Sequence, residues 1–339
     1  MSIRKQHVID SFYKIMCTSI INRQDFRVND NAYFKRRVVG FEAEYEFENE
    51  IKRIDEEIVF LAGGQILYPS LSGEIDDLNN FTYVTFDSRN HEEYKKLYKL
   101  ISVWDEIDNL YYIEIEHNNW SSENFTAKEN NTEITTQILK PSFKFFIFNK
   151  ESYEFELDTD QSFNSILSIG VDSSRKPSKS NLRDRDLFNY LDKFDLESLM
   201  NVYATRYFLD YKKRNKSKIL IIDFDGFLVT KNSTFIVEIK SKSPMNNDSE
   251  NISEWKYGWD TRRIIWYQHI QEKLKLPVLY CIKQIDNRLD RNFIRWDSIL
   301  LENFLKGVTW SFSTGGGGGE DTLIAPYSYF SELSDFLEI

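Results

Sequence analysis

The sequence predicts an α/β fold, with a mixed sheet flanked by helices that follows a β-rich N-terminal domain. Residues 33–170 are mostly strand-like and rich in Phe, Tyr, Ile and Thr. Residues 172–185 are polar and basic without an apolar period, which is typical of a linker. After the linker, segments with helical apolar spacing alternate with short apolar runs that are typical of strands. We therefore expect a β-rich recognition or regulatory domain at 1–175 and a second domain at 186–339.

Composition excludes several classes of protein. The chain has 339 residues, of which 41% are hydrophobic and 15% aromatic, so it can bury a substantial core and is not predicted to be disordered. Its two cysteines are too few for a disulfide framework, which predicts a reducing, cytoplasmic setting. The sequence contains no apolar run long enough to cross a bilayer and no signal-peptide core, so we expect a soluble protein with no membrane partner.

The net charge of −11 is unevenly distributed. Residues 1–180 carry 21 Lys and Arg against 31 Asp and Glu, whereas residues 181–339 carry 22 against 23. The second half also contains a basic cluster opposed only by Asp210: Arg206, Lys212, Lys213, Arg214, Lys216 and Lys218. Such a cluster can neutralise phosphates even on an acidic protein, so Lys213 and Arg214 are candidate substrate contacts. A solvated turn is the structural alternative.

Each predicted element follows from its residue pattern. Residues 1–20 predict a short helix. Residues 41–50 alternate apolar and acidic side chains, which predicts a strand with one glutamate face. Gly63-Gly64 predicts a turn. After the linker we predict a helix over 186–203, an element of undecided type at 207–211, a buried strand at 219–229, a turn at 231–232, a strand at 235–240, a helix over 254–274 with Trp259, Ile265, Trp266, Ile270 and Leu274 on its buried side, and a strand at 277–282.

The candidate chemistry is concentrated in the segment 220–240. A two-residue loop at Lys231-Asn232 would set Asp225 opposite Glu238 and Asp223 opposite Lys240. Directly opposed Cβ atoms lie roughly 4.5–5.5 Å apart, so the two carboxylates could share one divalent ion, and hard oxygen ligands suit Mg²⁺. Four charges on a buried hairpin would be costly without such an ion.

Asp225, followed thirteen positions later by Glu238-Ile239-Lys240, resembles the motif of the PD-(D/E)xK nuclease superfamily, which includes restriction endonucleases and junction resolvases. The resemblance covers about residues 186–285 and implies a restriction-endonuclease-like sheet. It also implies that Asp225, Glu238 and the Ile239 carbonyl hold Mg²⁺, with Mn²⁺ able to substitute, and that Lys240 positions and polarises the attacking water. Phe224 replaces the usual proline. Asp223 is an extra acid and an alternative metal ligand.

The resemblance also implies a substrate. A chain with one such core and no helicase motif is similar to type II restriction enzymes, which predicts a homodimeric endonuclease that cuts double-stranded DNA. Three residues are candidate substrate contacts besides Lys213 and Arg214. Lys242 follows the motif strand, and Arg262 and Gln268 belong to the predicted helix.

Two alternatives use the same segment differently. The run from Lys218 to Val229 also resembles the first motif of haloacid-dehalogenase phosphatases, with Asp223 as nucleophile and Asp225 as general acid. That family needs a threonine where Phe227 stands and a helix, not a strand, after the motif. The second alternative is a nuclease fold that binds nucleic acid without cutting it, which the complete set of acids and lysine disfavours.

Overall fold

The computed structural model describes residues 3–21, 30–69, 81–129, 132–167, 190–213, 219–247, 249, 251–287, 290–314 and 321–337. The chain forms two compact units, neither of them continuous in sequence. The first contains Met1–Glu42 and Gly64–Asp223, and the second contains Ala43–Gly63 and Phe224–Ile339. None of the described helices is both long enough and apolar enough to span a bilayer.

The described helices are α1 (Lys5–Ile21), α2 (Asp30–Ile54), α3 (Lys95–Ile101), α4 (Asp160–Leu167), α5 (Leu196–Arg206), α6 (Thr261–Leu274), α7 (Leu301–Gly307) and α8 (Ser334–Leu337). A π-helix, Tyr207–Lys213, continues α5, so the element of undecided type at 207–211 is helical. Short 3-10 helices lie at His91–Tyr94, His117–Asn119, Ile252–Glu254 and Tyr327–Tyr329.

The described strands are β1 (Val59–Ala62), β2 (Gln65–Pro69), β3 (Phe81–Asp87), β4 (Ile107–Ile115), β5 (Ser121–Glu129), β6 (Thr132–Lys140), β7 (Phe143–Asn149), β8 (Glu154–Asp158), β9 (Ile219–Asp223), β10 (Gly226–Val229), β11 (Thr234–Lys242), β12 (Lys256–Asp260), β13 (Val278–Ile285), β14 (Phe293–Leu300), β15 (Thr309–Thr314), β16 (Asp321–Pro326) and β17 (Ser331–Glu332). With the helices they give a mixed α/β architecture.

The first unit is built on a mixed sheet. Its strand order is β8-β7-β4-β3-β2-β9, with β3 and β4 parallel and the other neighbours antiparallel. Every residue of β3 is buried, as expected for a central strand covered on both faces. Strands β5 and β6 pair with each other as a separate two-stranded ribbon.

The second unit contains a mixed sheet of order β1-β10-β11-β13-β14-β17 and a smaller antiparallel sheet of order β12-β16-β15. Strands β11 and β13 are parallel, and helix α6 lies in the crossover connection that a parallel pair requires. Its core includes Phe47 of α2, Leu228 of β10, Val237 and Ile239 of β11, and Cys281 of β13. The strand predicted at 277–282 is therefore confirmed and extends to Ile285.

The prediction of a strand at 41–50 is wrong, because these residues belong to helix α2. Ala43, Phe47 and Ile51 are almost completely buried and recur every four residues, so they form one helical stripe. The alternating apolar residues at 41–50 include positions four residues apart, so the same pattern also fits a helix. Glutamate favours helix, and the glutamates between the buried positions fit the polar face of a helix. In contrast, the helix predicted at 1–20 is confirmed by α1.

The prediction of one continuous strand at 219–229 is also wrong. Strand β9 ends at Asp223 and pairs with β2 in the first unit, whereas β10 begins at Gly226 and pairs with β1 and β11 in the second. A Cβ on Gly226 would lie 2.1 Å from the Phe60 ring, so the start of β10 requires glycine. Hydrophobicity shows that both stretches are buried, but it does not show that the chain changes sheets between them.

The helix predicted at 254–274 is shorter than expected. Residues 256–260 form β12, and α6 begins at Thr261, where the Asp260 carboxylate accepts hydrogen bonds from the Arg262 and Arg263 main-chain N–H groups. Trp259 is buried on the strand, whereas Ile265, predicted to be buried, is 61% exposed.

The contacts divide the chain differently from the predicted ranges. The expected boundary at 172–185 lies outside the described residues. Residues 43–63 carry part of α2 and β1 and belong to the second unit, because their apolar side chains join its core. Residues 190–223 belong to the first unit, because β9 completes its sheet.

Candidate active site

The β10–β11 hairpin places the candidate residues as its loop length predicts. Gly226 pairs with Val237 and Val229 with Thr234, which leaves Lys231 and Asn232 at the tip. The Thr230 N–H donates to the Ser233 carbonyl at 2.8 Å and closes the turn. This register brings the residue before β10, Asp225, alongside the Glu238–Lys240 segment of β11.

Asp225 extends the ladder of β11 with its side chain. Because β10 begins only at Gly226, main-chain groups of β11 beyond Val237 need another partner on that side. The Ile239 N–H donates to Asp225 Oδ2 at 2.7 Å. The Asp225 side chain is 7% exposed, so this bond fixes a nearly buried carboxylate beside the strand.

Glu238 is the most deeply buried acid of the hairpin, with 0% exposure. It points to the face opposite its core neighbours Val237 and Ile239, as alternation along a strand requires. The Tyr267 hydroxyl of α6 donates to Glu238 Oε2 at 2.5 Å, and Arg263 Nη1 lies 3.7 Å from the same oxygen. Helix α6 therefore holds one carboxylate oxygen of Glu238.

Three oxygens converge on the Lys240 ammonium. Lys240 Nζ lies 2.6 Å from Glu238 Oε1, 3.1 Å from the Ile239 carbonyl oxygen and 3.4 Å from Asp225 Oδ2. Despite the short distance, Glu238 Oε1 accepts no hydrogen bond from the described residues, so its contact with Lys240 is an ion pair with poor hydrogen-bond angles. The two acids and one carbonyl thus face a common cation.

This donor set fits a hard divalent ion. Two carboxylates and a main-chain carbonyl are the oxygen ligands that Mg²⁺ takes, with water completing its shell. The ammonium stands in for the positive charge that such an ion would supply. Among the described residues no group of three His, Cys, Asp or Glu could hold a metal, so the set contains two carboxylates and takes its third oxygen from the Ile239 main chain. The Lys240 side chain as a whole is 35% exposed.

The charges around Glu238 keep it ionised. Burial alone would raise the pKa of Glu238, but the Lys240 ammonium, the Arg263 guanidinium and the Tyr267 hydroxyl together lower it below its ordinary value. In the same way, burial would lower the pKa of Lys240, but Asp225 and Glu238 raise it above its ordinary value. Lys240 is therefore a cation at neutral pH and serves as a hydrogen-bond donor, not as a base.

The lowered pKa of Glu238 predicts a pH dependence of stability. An acid whose folded-state pKa lies below its unfolded value, here 4.5, stabilises the fold above that pH, and this contribution is lost as the pH falls further. We expect the free energy of unfolding to drop between pH 5 and pH 3 more steeply in the wild type than in Glu238→Gln. Urea unfolding at several pH values measures this, and Glu254→Gln, at an exposed position, is the control. Parallel curves for wild type and Glu238→Gln would contradict the expectation.

The hydrogen bond from Tyr267 predicts a loss of stability. Tyr267→Phe removes one donor from a fully buried carboxylate, and we expect a decrease of about 1.5–3 kcal/mol in the free energy of unfolding, typical of hydrogen bonds to charged groups. Chemical denaturation gives this value. Tyr329→Phe, at a position 48% exposed, is the matched control and is expected to change stability by less than about 0.5 kcal/mol. Equal effects of the two substitutions would contradict the expectation.

The structure places the other predicted residues away from the three oxygens or outside its description. Asp223 pairs with Gln65 in the sheet of the first unit, so the prediction that it lies opposite Lys240 is wrong. Lys242 donates to the Gly258 carbonyl at 2.5 Å and lies over the Tyr280 ring. The Arg214 residue and the side chain of Lys213 lie outside the described residues.

Helix α6 presents a different face to the site than predicted. The predicted contacts Arg262 and Gln268 are exposed, and Gln268 lines a groove of about 650 Å³ between α6 and α7. Arg263 and Tyr267, which are one turn apart, contact Glu238 instead. The sequence signal for them was the buried stripe of α6, in which Ile264, Tyr267, Ile270 and Leu274 share one face. The predicted buried face contains Ile265 and Trp266 instead of Ile264 and Tyr267, so it is displaced by one position.

The positions of Asp223 and Asp225 also bear on the phosphatase alternative. That family presents both acids from the end of one strand that leads into a helix. Here Asp223 ends β9, Asp225 lies in the break that follows, and the next element is the strand β10. Asp225 is held by the Ile239 N–H of the neighbouring strand.

Comparison with known proteins gives one structural match. No protein-family model matches the chain, and no curated protein matches it. Among solved structures, Archaeoglobus fulgidus Hjc, a Holliday junction resolvase from an archaeal hyperthermophile, aligns with 34% of this chain and 72% of its own, at 8% identity and a TM-score of 0.22. At so low a TM-score the match carries no functional argument.

Proposed function

We propose that this protein is a Mg²⁺-dependent nuclease that hydrolyses phosphodiester bonds of DNA, with Asp225, Glu238 and Lys240 as its catalytic residues. The finer proposal is an endonuclease that cuts double-stranded DNA as a homodimer, in the manner of type II restriction enzymes. Mn²⁺ is expected to substitute for Mg²⁺. One observation carries the proposal: two carboxylates and the Ile239 carbonyl point at one cation, the ammonium of a partly exposed lysine.

The residues of the chain divide the work. Asp225, Glu238 and the Ile239 carbonyl would hold the ion. When bound, Mg²⁺ supplies Lewis-acid activation of water and neutralisation of charge on the phosphate. Lys240, kept protonated by the two acids, orients the water and donates to developing negative charge.

Helix α6 supports the ligands from behind. Tyr267 fixes the orientation of Glu238 by hydrogen bonding, which leaves Glu238 Oε1 directed toward Lys240. Arg263 balances the negative charge of Glu238. Both act on the reaction through Glu238, as positioning residues.

Supercoiled plasmid DNA tests the proposal, because a closed circle offers no ends and only an endonuclease can cut it. The wild type is expected to produce nicked or linear DNA with Mg²⁺ and none with a chelator. Lys240→Ala is expected to lose this cutting, whereas Lys306→Ala, at an exposed position on α7, retains it. Binding of plasmid by the wild type without any cutting would contradict the proposal.

A phosphatase assay gives the complementary outcome. Small phosphomonoesters should not be hydrolysed at a rate that depends on Asp223. If Asp223-dependent hydrolysis of phosphomonoesters were observed, and Glu238→Gln left its rate unchanged, a phosphatase activity would replace the proposed nuclease activity.

A further inference from the structure

Strands β5 and β6 form a ribbon that stands apart from the larger sheets. Each strand has nine residues, the pairing runs antiparallel over the whole length, and in the described chain neither strand pairs with a third. A two-stranded antiparallel ribbon is one of the two kinds of element that enter the major groove of B-DNA, which is about 12 Å wide.

The inner side of the ribbon is fixed to helices of the first unit. Phe125 and Ile138 are buried there, and Leu139, which alternation places on the other face at the end of β6, is also buried. The Leu139 N–H donates to Ser11 Oγ of α1 at 3.0 Å, and the Tyr203 hydroxyl of α5 donates to the Leu139 carbonyl. The ribbon is therefore held in place by its inner side and by the Leu139 end of β6, as a recognition element must be.

The opposite side carries four exposed, uncharged polar residues, which we call the amide ladder: Asn124, Thr126, Thr135 and Gln137. The register pairs Asn124 with Gln137 and Thr126 with Thr135, so both pairs point the same way. Gln137 Nε2 donates to Asn124 Oδ1, and the two threonine hydroxyls lie 3.5 Å apart. Each pair is thus aligned across the two strands.

The chemistry of the amide ladder matches the edges of bases. After the bond between them, Gln137 keeps its carbonyl oxygen and one N–H, and Asn124 keeps two N–H groups. Adenine offers an N6 donor and an N7 acceptor in the major groove, the pair that Asn and Gln amides contact, and threonine hydroxyls contact any base. Exposure to solvent alone does not require neutral amides and hydroxyls at these four positions, because charged side chains are equally well solvated.

Two lysines lie at the edge and the end of the ribbon. Lys14 Nζ of α1 donates to Thr136 Oγ1 and to the Gln137 carbonyl, both at 3.0 Å, so a positive charge sits against the outer edge of β6. Lys140, at the end of β6, is exposed. Phosphate contacts of this kind position a protein on DNA, and base contacts then specify the sequence.

We propose that the amide ladder recognises base edges in the major groove of double-stranded DNA, with Lys14 and Lys140 contacting the flanking phosphates. This inference rests on the proposed function, because it names the surface that would select the DNA to be cut. Double-stranded RNA is the rival ligand, but the major groove of A-form RNA is too deep and narrow for side chains to recognise.

A randomised double-stranded DNA library, bound by the full-length protein in the presence of a chelator, tests the inference without any cutting. The enriched duplex and a scrambled duplex are then compared by fluorescence anisotropy. We expect Asn124→Ala/Gln137→Ala to reduce the preference for the enriched duplex by tenfold or more. The matched control, Gln6→Ala/Asn303→Ala, removes the same two amides from α1 and α7 and is expected to keep the preference. Thermal unfolding shows that both double variants are folded.

A second variant separates phosphate contacts from base contacts. Lys140→Ala is expected to weaken binding to both duplexes equally and to lower the slope of log K against log salt by about one. Equal preference in wild type and Asn124→Ala/Gln137→Ala would overturn the inference. It would also be overturned if the wild type enriched no sequence, or bound duplex RNA as tightly as duplex DNA.

The two proposals fail separately. Sequence preference that depends on the amide ladder, in a protein that never cuts plasmid with Mg²⁺, would support the ribbon and contradict the nuclease. Cutting that depends on Lys240 and shows the same sequence preference in the ribbon variants would support the nuclease and overturn the ribbon.

Discussion

Replacing Asp225 by asparagine is expected to reduce metal-dependent DNA cutting by about 10²–10⁴-fold. The side chain keeps its size and an oxygen that can accept the Ile239 N–H, so the hairpin should stay intact. What is lost is one of the two carboxylate charges directed at the cation, and charge stabilisation by a metal site is worth several kcal/mol, with each 1.4 kcal/mol equal to tenfold in rate. Plasmid cleavage followed over time with Mg²⁺ or Mn²⁺ measures the effect.

The control for Asp225→Asn is Asp290→Asn. Asp290 is an exposed acid of the same unit that accepts a hydrogen bond from Asn287 and has no role in the site. It is expected to cut plasmid at the wild-type rate. If Asp225→Asn cut as fast as Asp290→Asn, while both unfolded at the wild-type temperature, Asp225 would not be a metal ligand.

Removing the Lys240 charge is expected to destabilise the protein, and added metal is expected to restore part of the loss. Lys240→Met keeps the apolar stem but leaves Asp225 and the fully buried Glu238 facing each other without their cation. We expect a decrease of about 2–4 kcal/mol in the free energy of unfolding, less than for a fully buried pair because Lys240 is 35% exposed. A divalent ion at the same point would bind the folded state alone and raise its stability.

Thermal unfolding with and without Mn²⁺ separates these effects. Mn²⁺ should raise the unfolding temperature of Lys240→Met more than that of the wild type, because in the wild type the ion must first displace the Lys240 ammonium from the three oxygens. Lys306→Met, at an exposed position on α7, should match the wild type in both conditions. No loss of stability in Lys240→Met, or no added effect of Mn²⁺ on it, would mean that the two acids do not share a cation.

The sequence predicts the hairpin well because a small number of local rules is enough to determine it. A two-residue loop fixes the register, and register fixes which side chains oppose each other, so the position of Asp225 beside Glu238–Lys240 follows from residue spacing. The apolar neighbours Val237 and Ile239 then assign the faces of the strand. None of these inferences depends on distant parts of the chain.

Features set by distant contacts are the ones that the sequence did not reveal. The break between β9 and β10 exists because the chain leaves one sheet at Asp223 and enters another at Gly226, and both sheets need equally apolar strands. The phase of α6 was shifted by one residue because Trp266 is as apolar as Tyr267, and only the packing decides which of them reaches Glu238.

The structure also changes the interpretation of the basic cluster. Arg206 lies 3.8 Å from Asp210 and over the Phe41 ring, and Lys212 lies 2.8 Å from Glu123. These two side chains form ion pairs with acids of the first unit. Composition alone could not distinguish such ion pairs from phosphate binding. The exposed positions Asn124 and Gln137 had no signal at all, since isolated amides on a strand match no motif.

Anomalous diffraction from crystals soaked in Mn²⁺ tests the shared cation most directly. We expect one anomalous peak per chain within about 2.5 Å of oxygens from Asp225, Glu238 and the Ile239 carbonyl, and no such peak in crystals of Asp225→Asn. A well-ordered site without a peak, or a peak held by other residues, would contradict a metal centre on this hairpin.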